Sequence, residues 1–521
     1  MSKISRRYFS KTITAGLGAV AIKPFSGLSA KEIQTFSPKK KPNIVFICSD
    51  QHSYKYTGYA GHHLIKTPNL DRIASQGIVY SDAYSGNPVC VPGRTSMMTG
   101  MFASDCNSFC NSTVWDGSHP VWGTYLKKEG YYCQAIGKMD LNNNFDTGFN
   151  DFSPLPDRQN HADITSLFRR PVGYRVNERS GVDGNSRKGR HMDAAKTQQG
   201  LKFLQEEASN IKKPWALYLG LTEPHPKFEA LEKYYNLYPE ESVVLPAIPP
   251  GYLEELHLVF QELRNFKQIS TPIPEDRIRR ARSAYYGMIT ELDEYIGKIW
   301  DELERTGELK NTLFIYTSDH GESLGEHGLW YKNNLYDVAA RVPLLMAGAG
   351  LPKNIKIDTP VSHIDVVATI LELAGSDAFN NLRGHSLLPV LQGKSGSHPG
   401  FAYSESHSEG NCTGSFMIRK GDWKYIHFTW YDDLLFNLAH DPGEFNNLID
   451  KPETTDIQAE LKAILNSLVD TEEVTLRAFH TQEKMLADYA ARMTEDQLFN
   501  MFKSRLGAGQ ARALAKKCKG I

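Results

Sequence analysis

The chain alternates short, nearly continuous apolar runs with stretches of helical periodicity, and few architectures accept that alternation. Asn43-Ile44-Val45-Phe46-Ile47-Cys48, Trp215-Ala216-Leu217-Tyr218-Leu219 and Thr312-Leu313-Phe314-Ile315-Tyr316-Thr317 read as strands apolar on both faces. Gln134-Ala135-Ile136-Gly137 and Val342-Pro343-Leu344-Leu345-Met346 are further candidates. Strands buried on both sides need helices above and below, which is the condition of a parallel sheet. Between them lies a long helix whose apolar positions Ile278, Ala281, Tyr285, Met288, Leu292, Ile296, Ile299 and Leu303 keep to one face, with Gly307 ending it. An earlier helix opens at Pro68 with Thr67 as its cap and stops at Gly77. The pattern predicts an α/β fold: a large mixed, mostly parallel sheet flanked by helices, with a smaller C-terminal α+β domain.

The smaller domain is signalled by a change of character near Gly396. Phe401-Ala402-Tyr403, Phe416-Met417-Ile418-Arg419 and Trp423-Lys424-Tyr425-Ile426 are short strands separated by turns, and a helix follows around Ile457 to Leu468. We therefore divide the chain into a leader over residues 1–30, a large domain over 36–395, a small one over 396–470 and a helical tail over 471–521. The leader reads as an export signal of the twin-arginine type: Arg6-Arg7, a mildly apolar run from Ile13 to Ile22, and small residues at Ser29-Ala30. It implies export machinery and a periplasmic location. Nothing later is apolar enough for a membrane span. Lys plus Arg (59) balance Asp plus Glu (60), which argues against a nucleic-acid partner. The seven cysteines form neither a disulfide framework nor a zinc pattern, although Cys106 and Cys110 are close enough in sequence to pair.

Ligands of open parallel sheets bind beyond the carboxyl ends of the strands. Asp50 and Gln51 follow the first strand, Lys138 the Gln134 strand, His225 the Trp215 strand, and Asp319 and His320 the Thr312 strand. Four separate segments thus deliver ionisable groups to one edge. Asp50 and Asp319, helped by Gln51 and His320, suit one hard cation, Ca²⁺ with Mg²⁺ as the alternative, and lack the His and Cys density of a zinc site.

Cys90-Val91-Pro92-Gly93-Arg94-Thr95-Ser96-Met97-Met98-Thr99-Gly100 adds the reacting group. Pro92 suits a first helical turn and Gly100 a helix end, so Cys90 sits at a helix N-terminus, where N–H groups favour an anion, with Arg94 one turn on and able to reach back toward it. Cys90, Pro92, Arg94, Thr99 and Gly100 resemble the sulfatase signature C-x-P-x-R followed by T-G. Further segments are similar to that family in its order: Asp50-Gln51, Thr67 to Asp71, Gly137-Lys138, Pro224-His225-Pro226, Ser318 to Gly321, Gly325 to Gly328, Lys332 and Arg341-Val342-Pro343. Leu434 to Leu438, with Asp441-Pro442 and Asn447-Leu448, resembles the family's C-terminal domain. The Asp-His pair and Trp330-Tyr331-Lys332 look like the choline-sulfatase and iduronate-sulfatase branches of this alkaline-phosphatase-like superfamily.

The resemblance implies a sulfuric ester hydrolase in which a maturation enzyme oxidises Cys90 to formylglycine. One hydroxyl of the hydrated aldehyde attacks sulfur and expels the alcohol, and the other then loses its proton as sulfate leaves. It implies Asp50, Gln51, position 90, Asp319 and His320 around the metal, with Arg94, Lys138 and Lys332 stabilising negative charge and His225 protonating the leaving oxygen. The substrate expected is a small sulfated molecule, a sulfated carbohydrate first. Two positions depart from the pattern: Asp140 stands where a His commonly follows the Gly-Lys segment, and Gly93 where Ser or Ala is common. Two alternatives remain open at this point: a phosphate or phosphonate monoester hydrolase of the same superfamily, and a non-catalytic binder of sulfated glycans.

Overall fold

The structure, a computed structural model, describes residues 41–142, 144–150, 173–393 and 398–520. The leader over 1–30 lies outside the described residues. The central sheet has seven strands: β1 (Asn43–Ser49), β2 (Gly77–Tyr80), β3 (Tyr132–Gly137), β4 (Trp215–Gly220), β5 (Thr312–Ser318), β6 (Leu344–Gly348) and β7 (Ile355–Ile357). Their order is β7-β2-β6-β5-β1-β4-β3. Every pairing is parallel except those of β6, which runs antiparallel to β5 and β2. After β5 the chain stays at the carboxyl edge through residues 319–343 and then descends as β6, so no crossover helix intervenes. Those residues carry Asp319, His320 and Lys332.

Register decides which side chains meet. Ser49 pairs with Ser318 and Cys48 with Gly220, so β1, β4 and β5 end level and Asp50 emerges beside Asp319. Gly137 also pairs with Gly220, which brings Lys138 to the same edge. Alternate residues of β1 enter opposite cores: Ile44, Phe46 and Cys48 on one face, Val45 and Ile47 on the other.

Helix α1 (Pro68–Ser75) stops short of Gly77, which opens β2 instead. A Cβ at Gly77 would lie 2.4 Å from the Met346 carbonyl oxygen, so glycine there permits close approach to β6 rather than ending a helix. The Thr67 side chain does not cap α1; its hydroxyl donates to Asp71 at 3.0 Å. The amides of Asn69 and Leu70 bind Asp293 instead, at 3.1 and 2.7 Å. Helix α2 (Cys90–Thr99) ends at Gly100, which is left-handed with φ 71°. Helix α3 (Glu275–Thr306) ends at left-handed Gly307 and buries Leu292, Ile296, Ile299 and Leu303 against the sheet.

The C-terminal sheet is an antiparallel meander of β8 (Phe401–Ser406), β9 (Ser415–Lys420), β10 (Trp423–Phe428) and β11 (Leu434–Asn437). Helix α4 (Thr455–Leu468) packs on it through Leu461 and Leu465. The tail forms α5 (Thr471–Arg492) and α6 (Glu495–Cys518). Its Leu498, Phe502 and Leu506 bury against Phe266 and Cys110 of the large domain. No disulfide joins Cys106 and Cys110. No described helix is long and apolar enough to cross a membrane.

Candidate active site

Helix α2 begins at Cys90, and its N-terminus meets the sheet edge. Cys90 Sγ lies 2.6 Å from Lys332 Nζ, 3.4 Å from His320 Nε2 and 3.8 Å from Asp50 Oδ1. Lys138 Nζ donates to Asp50 Oδ2 and lies 3.3 Å from Asp140 Oδ2. His225 sits at the same edge, half-buried, its Nδ1 donating to the Pro226 carbonyl at 2.6 Å. The structure thus brings together residues from five segments far apart in sequence.

Two residues are placed differently from the sequence expectation. Arg94 is fully buried and turned inward. Its Nε donates to Asp319 Oδ2 at 2.8 Å, Nη1 to the Lys138 carbonyl (2.8 Å) and Tyr218 hydroxyl (2.9 Å), and Nη2 to the Ser49 carbonyl at 3.2 Å. With Asp50 Oδ2 also 3.7 Å from Nη2, the guanidinium is committed to the two aspartates instead of reaching back toward an anion. The carbonyl oxygen of Gln51 accepts from Lys332 Nζ at 3.2 Å, while its amide nitrogen donates to Glu322. The N–H of Val91, the second residue of α2, donates to Asn111 Oδ1 at 3.0 Å. Tyr218, Glu322 and Asn111 are additions that no motif signalled, except that Glu322 follows Asp319-His320-Gly321 directly.

These charges shift one another. Burial pushes the Asp50 carboxyl up, but Lys138, His225, Lys332 and Arg94 outweigh it and hold it well below the usual range. Burial and Asp50 raise the Cys90 thiol, yet Lys138, Lys332 and His320 bring it well below an ordinary cysteine. Burial raises the Asp319 carboxyl, and Asp50 adds to that against the opposing pull of Arg94. Lys332 is raised despite its burial, by Cys90, Asp50 and Glu409.

One ligand atom each from Asp50, Cys90, Asp319 and His320 lies within 4.8 Å of the others, and all four residues are buried. His320 Nδ1 donates to the Gly321 carbonyl at 3.0 Å, which turns a lone pair on Nε2 toward the carboxylates. The carboxylates of Asp50 and Asp319, already paired with Lys138 and Arg94, converge with that imidazole lone pair on one point, an arrangement that suits a further cation. The donor set of oxygen, oxygen and nitrogen fits a divalent ion.

An α/β sheet whose carboxyl edge gathers a buried cysteine, a candidate metal-ligand set and two lysines has the make-up of a hydrolase site for oxyanion esters. The sulfatase family profile matches residues 42–376, and that of the N-sulphoglucosamine sulphohydrolase C-terminal domain matches 325–471. Arylsulfatase K of Gallus gallus is 32% identical over 461 residues, covering 84% of this chain and 84% of its own. Among solved structures, one bound to its substrate D-glucosamine-2-N,6-O-disulfate has a TM-score of 0.66 at 23% identity, covering 84% of this chain and 98% of that one. The phosphonate monoester hydrolase of Agrobacterium radiobacter has 0.67 at 23% identity, covering 82% and 95%. The chain belongs to the sulfatase family and is a sulfuric ester hydrolase.

Proposed function

We propose that the chain removes sulfate from a sulfated carbohydrate, using formylglycine made from Cys90. The observation that carries the reading is the position of the Cys90 side chain, between Lys332 Nζ at 2.6 Å and the converging Asp50, Asp319 and His320. An oxygen nucleophile at position 90 suits sulfate better than the thiol, whose sulfated adduct would persist. Lys332 and Lys138 are the cations beside it that would bind the sulfate oxygens and hold the charge that grows on them. His225, with Nδ1–H committed to Pro226, would use Nε2 to protonate the leaving alcohol. Arg94 keeps Asp319 and Asp50 in place. Asp50, Asp319 and His320 would hold a divalent ion, for which Ca²⁺ is our choice, and bound there it would supply Lewis acidity toward a sulfate oxygen. Asp140, where the family pattern has His, would steady Lys138.

Support for a carbohydrate comes from the solved neighbour that holds a disulfated glucosamine. The leader motif supports export to the periplasm, and formylglycine requires a maturation enzyme. Phosphonate hydrolysis is favoured by the neighbour of equal fold similarity. Turnover of 4-nitrophenyl sulfate against the phosphate and phosphonate esters separates the two readings, with sulfate preferred. Peptide mass spectrometry of enzyme from its native host should show position 90 lighter by about 18 Da, the change from thiol to aldehyde. An intact thiol in active enzyme would defeat the formylglycine reading.

A further inference from the structure

The reacting groups above all come from the large domain, yet one carboxylate from a loop of the C-terminal domain is linked to them through two asparagines. Glu409 lies in the loop between β8 and β9 and is 3% exposed. Its Oε1 accepts from Asn111 Nδ2 at 2.5 Å and its Oε2 from Asn333 Nδ2 at 3.1 Å. Each asparagine holds one half of the reacting pair. Asn111 Oδ1 binds the Val91 amide, next to Cys90, at 3.0 Å. Asn333 adjoins Lys332, and its Oδ1 accepts from Lys267 Nζ at 3.1 Å. Lys267, 1% exposed, gives its other two donors to the carbonyls of Trp330 at 2.9 Å and Lys332 at 2.8 Å.

The backbone of this loop needs such support. Tyr331, Asn333 and Glu409 have φ of 65°, 78° and 53°. Non-glycine residues keep left-handed conformations only where surrounding contacts over-determine them, and such residues gather at functional sites. Docking of the small domain has anchors besides Glu409. The Glu405 amide binds the Gly86 carbonyl at 3.0 Å, the Ser104 amide binds Glu405 at 2.8 Å, and Lys424 pairs with Asp337 at 2.8 Å. A buried acid that is one docking contact among several, and whose two oxygens bind the asparagines flanking position 90 and Lys332, calls for another role.

We propose that Glu409 is a positioning residue: it ties the α2 terminus bearing position 90 to the loop bearing Lys332, so that the C-terminal domain completes the active site. This rests on the reading of Cys90 and Lys332 as reacting groups.

The test compares full-length, matured wild type with Glu409→Ala and Glu409→Gln on 4-nitrophenyl sulfate and phosphate, alongside amide hydrogen exchange. Glu409→Ala lowers kcat about 30- to 100-fold, the effect of an ångström of misplacement, and leaves KM within about threefold. Glu409→Gln keeps one carbonyl acceptor and falls less, by about five- to tenfold; it decides the matter if the alanine variant does not fold. Exchange quickens about tenfold or more in peptides covering 88–94 and 329–335, while β1 and β5 stay protected. A purely structural role would lower the melting temperature and leave kcat per folded molecule unchanged. The proposal is overturned if kcat of a folded variant stays within about twofold of wild type, or if protection of both segments is unchanged. Should wild type hydrolyse neither ester, the assigned reaction is what fails, and the exchange data still decide the role of Glu409.

Discussion

Arg94 shows how far a residue's type can mislead about its target. A guanidinium one turn into a helix whose N-terminus faces an anion site suggests direct anion contact. Here its donors meet Asp319, Tyr218 and two carbonyls. Its fork geometry makes lysine a poor replacement. Arg94→Lys should therefore weaken metal affinity about 10- to 100-fold, as loss of a ligand's supporting partner does, with a smaller change in KM; calorimetric metal titration and steady-state kinetics measure the two. His327 makes a second, independent prediction. It stacks on Tyr336 with ring centroids 3.8 Å apart and shares a 2.7 Å bond with the Tyr252 hydroxyl. Burial lowers its pKa from 6.5 to about 3. Between those values the unfolded chain binds a proton that the folded chain does not, so stability falls as pH falls, by at most about 1.4 kcal/mol per pH unit. His327→Gln should flatten the acid limb of a denaturation-versus-pH profile, and an unchanged limb would refute the assignment.

At the scale of elements, the helix that carries Cys90 is held by its surroundings more than by its own sequence. Its cap position, Val89, offers no side-chain bond, and Asn111 supplies the acceptor for Val91. Gly93 fits the same picture. A Cβ there would lie 2.6 Å from the Asn87 carbonyl oxygen and 3.1 Å from that of Asp319. The first distance can be relieved only by moving backbone, so a methyl group does not fit without a shift of the main chain. Gly93→Ala should cost about 1 to 3 kcal/mol and lower kcat by displacing Asp319; thermal unfolding and turnover of the variant test both. Helix α1 repeats the lesson. Thr67 reads as its cap, but Asp293, on a helix more than two hundred residues later, takes the free amides. Local pattern located both helices, and distant residues satisfy their ends.

For the molecule as a whole, the divalent ion proposed between the buried carboxylates of Asp50 and Asp319 would add to the stability of the fold. Chelation should lower the melting temperature, and a hundredfold excess of Ca²⁺ over its Kd should restore about 2.7 kcal/mol. A melting temperature indifferent to both chelator and Ca²⁺ would argue against the site. The apolar periods made the doubly covered sheet, the long helix and the change to a smaller α+β C-terminal domain legible, because each buries one continuous surface. Strands β2 and β7 escaped notice, since four and three residues are too few to show a period. Asp50, Cys90, Lys138, His225, Asp319 and His320 could be placed at one edge in advance because strand ends and a helix start are local properties; Lys332, far from either, is named only by the family resemblance. Glu409, Lys267 and Asn333 could not: no spacing links them, and they meet only because the C-terminal sheet docks where the Lys332 loop turns. Thus the sequence by itself determined the layers and the chemical inventory of the edge. Only the tertiary structure decided which charges touch, because hydrogen-bond partners across hundreds of residues follow from strand register and domain docking, neither of which is written in any local pattern.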